Sequence, residues 1–130
     1  MAEMSNFLEN ALINATLRNT TYTSVATVYV SLWTSDPTDA GSGTEVSGGS
    51  YARTAVSFAT ASGTSGNVLN DADVTFPTAT ASWGTVGWIG INDALSSGNL
   101  LYHTALDTAK TIDSGDIFKI STGNLSVTLA

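Results

Sequence analysis

Val28-Tyr29-Val30-Ser31-Leu32-Trp33, running on into Asp36-Pro37-Thr38-Asp39-Ala40-Gly41, decides the fold class. Val28, Val30 and Leu32 alternate with Tyr29, Ser31 and Trp33, the period-two pattern of a strand with one face in a core. The run after it is concentrated turn chemistry, and Gly41 to Ser50 carries four glycines. The same sequence of short β-type run and glycine turn repeats downstream. Strands are expected at Tyr51–Ala59, Asp73–Phe76, Gly84–Asn92, Asn99–Leu106, Lys110–Ile112, Asp116–Ile120 and Asn124–Leu129, and turns at Ser62–Asn67, Ala94–Asn99, Ser114-Gly115 and Thr122-Gly123. A parallel sheet needs crossover helices between its strands, and these connections are too short for them. The reading is all-β: an antiparallel sandwich or jelly-roll-like barrel of about eight strands.

Upstream the period changes. Met4, Leu8, Ala11, Leu12 and Ala15 recur at three and four residues, predicting a short amphipathic helix over residues 4–17 with Ser5 as its N-cap. Domain organisation follows as a helical arm, residues 1–20, and a single β-sandwich domain, residues 21–130.

Composition excludes several function classes. The chain has 130 residues, eleven acidic and four basic, for a net charge of −7. Four cations cannot build the positive surface that a phosphate backbone requires, so no nucleic-acid partner is expected. No apolar run approaches the length of a membrane span and no leader pattern opens the chain, so no membrane partner is expected either and the chain reads as soluble. With no cysteine there are no disulfides and no thiolate metal sites. Serine and threonine are abundant, and threonine sits comfortably on a pleated surface.

Catalytic chemistry is sparse. The sequence holds one histidine, His103, on an expected strand beside Tyr102; a general base is conceivable there, and a strand histidine on the polar face is the plainer reading. The sequence contains no nucleophile elbow, phosphate loop or dinucleotide fingerprint. The carboxylate pairs Asp36/Asp39, Asp71/Asp73 and Asp113/Asp116 all lie in turn sequences, where aspartate caps backbone amides. The expectation is a protein that is not an enzyme and takes no cofactor. Asp36, Asp39 and Glu45, with glycines between, form a weak calcium candidate, since they offer hard oxygen donors on a flexible backbone.

Candidate interface residues fall in three groups. Phe7, Leu8 and Leu12 belong to the helix, which is too short to persist alone and must dock on something. Trp33, Trp83 and Trp88 suit core or interface packing better than sugar stacking. Arg53 stands where the glycine loop joins a strand; its fork is expected to clamp Glu45 or Asp36 and fix that loop.

Thr34-Ser35-Asp36-Pro37-Thr38-Asp39-Ala40-Gly41 and Gly43-Thr44-Glu45-Val46-Ser47-Gly48-Gly49-Ser50-Tyr51-Ala52-Arg53 resemble a family of small tailed-phage virion proteins. The resemblance continues through Asp73-Val74-Thr75-Phe76-Pro77-Thr78-Ala79-Thr80, Trp83-Gly84-Thr85-Val86, Gly98-Asn99-Leu100-Leu101-Tyr102 and Ser114-Gly115-Asp116-Ile117-Phe118-Lys119, covering the chain from Asn6 to Leu129. Members are described as capsid decoration (cement) proteins, as tail or tail-fibre proteins, or simply as structural proteins. The resemblance implies a β-rich virion component without catalytic residues. Its leading implication is a capsid cement protein, made in the host cytoplasm and placed on the outer capsid surface. There it would bridge capsomers of the major capsid protein as a homotrimer. Its alternative is a tail, fibre or neck component that contacts a receptor or glycan.

Overall fold

The computed structural model describes residues 2–63 and 66–129. The elements are β1 (Glu3–Met4), α1 (Asn6–Leu17), β2 (Val28–Trp33), β3 (Thr54–Val56), β4 (Asn67–Leu69), β5 (Val74–Thr75), β6 (Gly84–Asn92), β7 (Leu100–Ile112), β8 (Lys119–Ile120) and β9 (Ser126–Thr128). A five-stranded sheet in the order β1-β7-β6-β2-β3 is faced by two two-stranded ribbons, β4-β9 and β5-β8, and every pairing is antiparallel. The architecture is sandwich-like, and among the described residues no sheet closes into a barrel.

The main core lies between the sheet and the ribbons. Val30 and Leu32 from β2 and Ile89 and Ile91 from β6 meet Val74, Phe76, Phe118, Ile120, Leu125 and Val127. Tyr51 stacks on Phe76 at 6.3 Å between ring centres and meets Trp83 edge-on at 5.4 Å; Phe118 meets Phe76 edge-on at 5.6 Å. Such edge-to-face contacts add to the burial of large apolar area.

The sheet's second face is covered as well, which departs from the one-sided strand that the alternation of β2 predicts. Ser31 and Trp33 are buried along with Val30 and Leu32. The Trp33 indole Nε1 donates to Ser31 Oγ at 2.8 Å, and Ser31 Oγ donates to Asn92 Oδ1 at 2.6 Å, so this face carries a satisfied polar cluster. Gly90 lies under it. A Cβ there would come within 2.7 Å of Leu100 Cδ1 and 2.8 Å of Ser31 Oγ, so only glycine leaves room for the cluster.

Other element boundaries also differ from the sequence reading. Met4 belongs to β1, not to the helix, and Ala2 sits in the core, so the arm is stitched into the sheet at its root. The expected strands Asn99–Leu106 and Lys110–Ile112 are one strand, β7. Its register against β6 shifts between Val86 and Trp88, where β7 carries extra residues around Asp107-Thr108. That bulge reads in sequence as a break because it interrupts the alternation without ending the strand. The expected strand at Tyr51–Ala59 contracts to Thr54–Val56 plus a bridge between Phe58 and Asn70. The expected strands at Asp116–Ile120 and Asn124–Leu129 contract to β8 and β9, while β4 arises where a turn was expected to end. Thr64 and Ser65 of the Ser62–Asn67 turn lie outside the described residues. No described helix is long and apolar enough to cross a membrane.

Candidate interaction surface

The arm begins with the N-cap. Ser5 accepts from Leu8 N at 3.2 Å and its own N–H donates to the Leu101 carbonyl at 2.9 Å, which fixes the helix start onto β7. Asn6 N donates to the Asp39 carbonyl at 2.9 Å, tying the helix to the 36–41 turn as well. From there Leu8 is buried, while Ala11, Leu12 and Ala15 are half-buried, so the expected apolar stripe faces the body. Large apolar residues are also exposed away from this stripe, among the polar Asn6, Glu9 and Asn10. Phe7 is 42% exposed, Ile13 53% and Leu17 79%, and Ile13 and Leu17 are one turn apart on the same face. After the helix, residues 18–27 continue without regular secondary structure and are exposed apart from Tyr22.

Arg53 supplies the second feature. Its Nε and Nη2 donate to Glu45 Oε2 and Oε1, both at 2.8 Å, and its Nη1 donates to the carbonyls of Ala94 at 3.0 Å and Ser97 at 2.8 Å. Tyr51 Oη donates to Glu45 Oε2 at 2.7 Å and accepts from Leu32 N at 3.0 Å. Hydrogen bonding to Glu45 holds the Arg53 guanidinium above its ordinary pKa, and burial with the Glu45 hydrogen bond pushes the Tyr51 phenol well up. The clamp expected from sequence is present, and its partner is Glu45. It joins the glycine loop to the β6–β7 hairpin tip, so its role is to hold two loops in place.

The remaining candidates divide by burial. Leu8, Trp33 and Trp83 are interior, and this removes them from the accessible surface: Trp33 completes the Ser31 cluster, and Trp83 Nε1 donates to the Gly49 carbonyl at 2.9 Å. Leu12 is half-buried against the body and Phe7 is exposed. Trp88 is half-buried, registers with Trp33 across β2 and β6, and borders a surface cavity. Asp36, Asp39 and Glu45 are not brought together. Asp36 Oδ1 accepts from Thr38 N at 2.9 Å, Asp39 reaches His103, and Glu45 is held by Arg53. Of the turn aspartates, Asp116 caps a backbone amide as expected, its Oδ2 accepting from Asp113 N at 2.9 Å, whereas Asp71 Oδ1 accepts from the Ser57 hydroxyl of a neighbouring segment.

His103 is on a strand as expected but is buried, not on an open polar face, because β1 and the 36–41 turn close over it. Two further residues escape a reading by sequence. Glu3 gains importance only through its register with His103, set by a strand of two residues. Asn70 is fully buried: its Nδ2 donates to the Ala72 and Ser121 carbonyls and its Oδ1 accepts from Gly123 N and Leu125 N. An asparagine beside Asp71 reads simply as turn chemistry.

A search of curated proteins gives no match. The family model described as podophage GP4 fiber I protein gp80 matches residues 3–128, which takes in the arm, the clamp and both sheet faces. With nearly the whole chain matched, this protein belongs to the podophage GP4 fiber I protein gp80 family, a family of phage virion structural proteins.

Proposed function

We propose that this chain is a non-enzymatic structural subunit of a tailed-phage fibre, seated against a neighbouring virion protein through the outer side of its N-terminal arm. The observation that carries this is the exposure of Ile13 and Leu17 on a helix of 12 residues whose opposite side already packs on the body. A helix of that length is marginal in water, and apolar groups on both its sides suit a second packing partner. The fibre description of the family supports a tail position. An acidic surface, with a net charge of −7, suits a particle component that must not adhere to nucleic acid.

The capsid-cement role, with the major capsid protein as partner and a homotrimer as the assembled form, draws on the same arm but lacks the support of the family's description. Immunogold electron microscopy on intact virions separates the two. Label confined to the tail appendages is the expected result; label spread over the capsid faces would overturn the fibre reading in favour of cement.

A further inference from the structure

Ser31, Gly90, His103 and Glu3 form one row across β2, β6, β7 and β1, each in register with the next. Residues directly opposed in an antiparallel pair project from the same face, so the Glu3 carboxylate stands beside the His103 imidazole. Asp39 reaches the same place from the 36–41 turn. His103 Nε2 lies 2.8 Å from Asp39 Oδ1 and 4.0 Å from Glu3 Oε2, and the three donor atoms all fall within 4.8 Å of one another. The His103 side chain is only 6% exposed, whereas that of Glu3 is 72% exposed, so the imidazole forms the floor and the carboxylates the rim. Glu3 and His103 border a cavity of about 360 Å³ that is also lined by Asp36, Trp88 and Asp107.

We propose that Glu3, Asp39 and His103 bind a divalent transition-metal cation of the zinc class. Carboxylates alone would suit calcium, magnesium or manganese; a buried imidazole nitrogen moves the preference toward zinc and the later transition metals. Three protein donors leave a coordination position for water, and the adjoining cavity provides room for it. The cation takes the Nε2 lone pair of the Nδ1–H tautomer of neutral His103 and replaces the hydrogen bond between Nε2 and Asp39 Oδ1, so a neutral ring needs no net release of a proton. Seating the cation requires Asp39 Oδ1 and His103 Nε2 to part by about half an ångström, within reach of a carboxylate on an exposed turn. The three donors come from β1, the 36–41 turn and β7, the segments that hold the root of the arm, so a bound ion would lock the arm's direction relative to the sheet.

The test uses the full chain after chelator treatment, titrated with zinc, cobalt or calcium and followed by calorimetry, thermal unfolding and, for cobalt, visible absorption. Expected are one zinc per chain with a raised Tm, cobalt bands in the visible, and no competition from equimolar calcium. Glu3→Gln and Asp39→Asn should each weaken zinc binding by about tenfold or more, and Glu3→Gln should leave the metal-free Tm unchanged because that side chain is exposed. Zinc and cobalt producing neither heat nor a Tm shift would overturn the proposal. So would zinc affinity unaltered in both variants, or calcium displacing zinc at equal concentration.

Discussion

Arg53 grips Glu45 through two parallel 2.8 Å hydrogen bonds, and the third arm of the same guanidinium holds the carbonyls of Ala94 and Ser97, 41 and 44 residues further along the chain. One largely buried side chain therefore organises both the glycine loop and the β6–β7 hairpin tip. Removing it leaves the Glu45 carboxylate with Tyr51 as its remaining partner and frees two carbonyls. Arg53→Ala should cost about 2 kcal/mol, a fall in Tm of about 7 °C for a chain of this length. Arg53→Lys should recover little of it, because an ammonium cannot reproduce the fork. Thermal unfolding of the two variants checks this; a lysine variant as stable as the parent would contradict it.

Gly90 is required by what packs above it. A methyl group at this position meets Ser31 Oγ, Leu100 and the Trp33 indole at 3.0 Å or less. Gly90→Ala should destabilise by about 2 kcal/mol through overpacking and break the Trp33–Ser31 hydrogen bond. Urea unfolding measures the first effect and near-ultraviolet circular dichroism the second.

Asn70 holds the β8–β9 connection through its side-chain amide. Asn70→Ala strands the buried N–H of Leu125 and removes the side-chain bonds to Gly123 N and to the Ala72 and Ser121 carbonyls, while Gly123 N keeps its bond to the residue-70 backbone carbonyl, for an expected loss of about 2 kcal/mol. Amide exchange at Leu125 should accelerate more than exchange in β2, which identifies the loss as local.

The chain's legibility follows from range. Val28 to Trp33 announces a strand because alternation is written in consecutive residues. That Ser31 and Trp33 are also buried depends on Leu100 and the helix start, which fold over the second face from elsewhere in the chain. The Arg53 clamp was readable because its acidic partner lies eight residues away in the same glycine loop, whereas its bonds to Ala94 and Ser97 were not. β1 is too short for any period to show, so the meeting of Glu3 with His103 appears only in the folded sheet. The β7 bulge and the polar role of Asn70 were hidden for the same reason: each is defined by residues opposite it, not beside it.

Asp73 gives a pH dependence with a definite sign. Its carboxylate accepts from Thr122 N at 2.8 Å and Thr122 Oγ1 at 2.9 Å and lies 3.3 Å from Lys119 Nζ; these contacts, the Thr122 backbone bond first, hold its pKa below the ordinary carboxylate value. A pKa depressed in the folded state contributes stability that is present above the unfolded value, about 3.9, and is lost as pH falls through the folded one. Asp73→Asn should therefore lower Tm at neutral pH, and the gap from the parent should close as the pH falls below about 4. Paired Tm-against-pH curves test it; a gap that stayed constant into acid would assign the effect to something other than the charge.

The central claim is that the outer side of the arm seats this subunit in the particle. Ile13 and Leu17 are exposed and make no core contact, so the double variant Ile13→Ser, Leu17→Ser should fold with a Tm close to that of the parent. The direct measurement is quantitative mass spectrometry of purified virions from phage carrying that variant, scored against the major capsid protein. The account predicts that the parent is present in a small number of copies and the variant is depleted at least tenfold, on the scale of losing packing at two central apolar positions. A folded variant incorporated at the parent's copy number would contradict it.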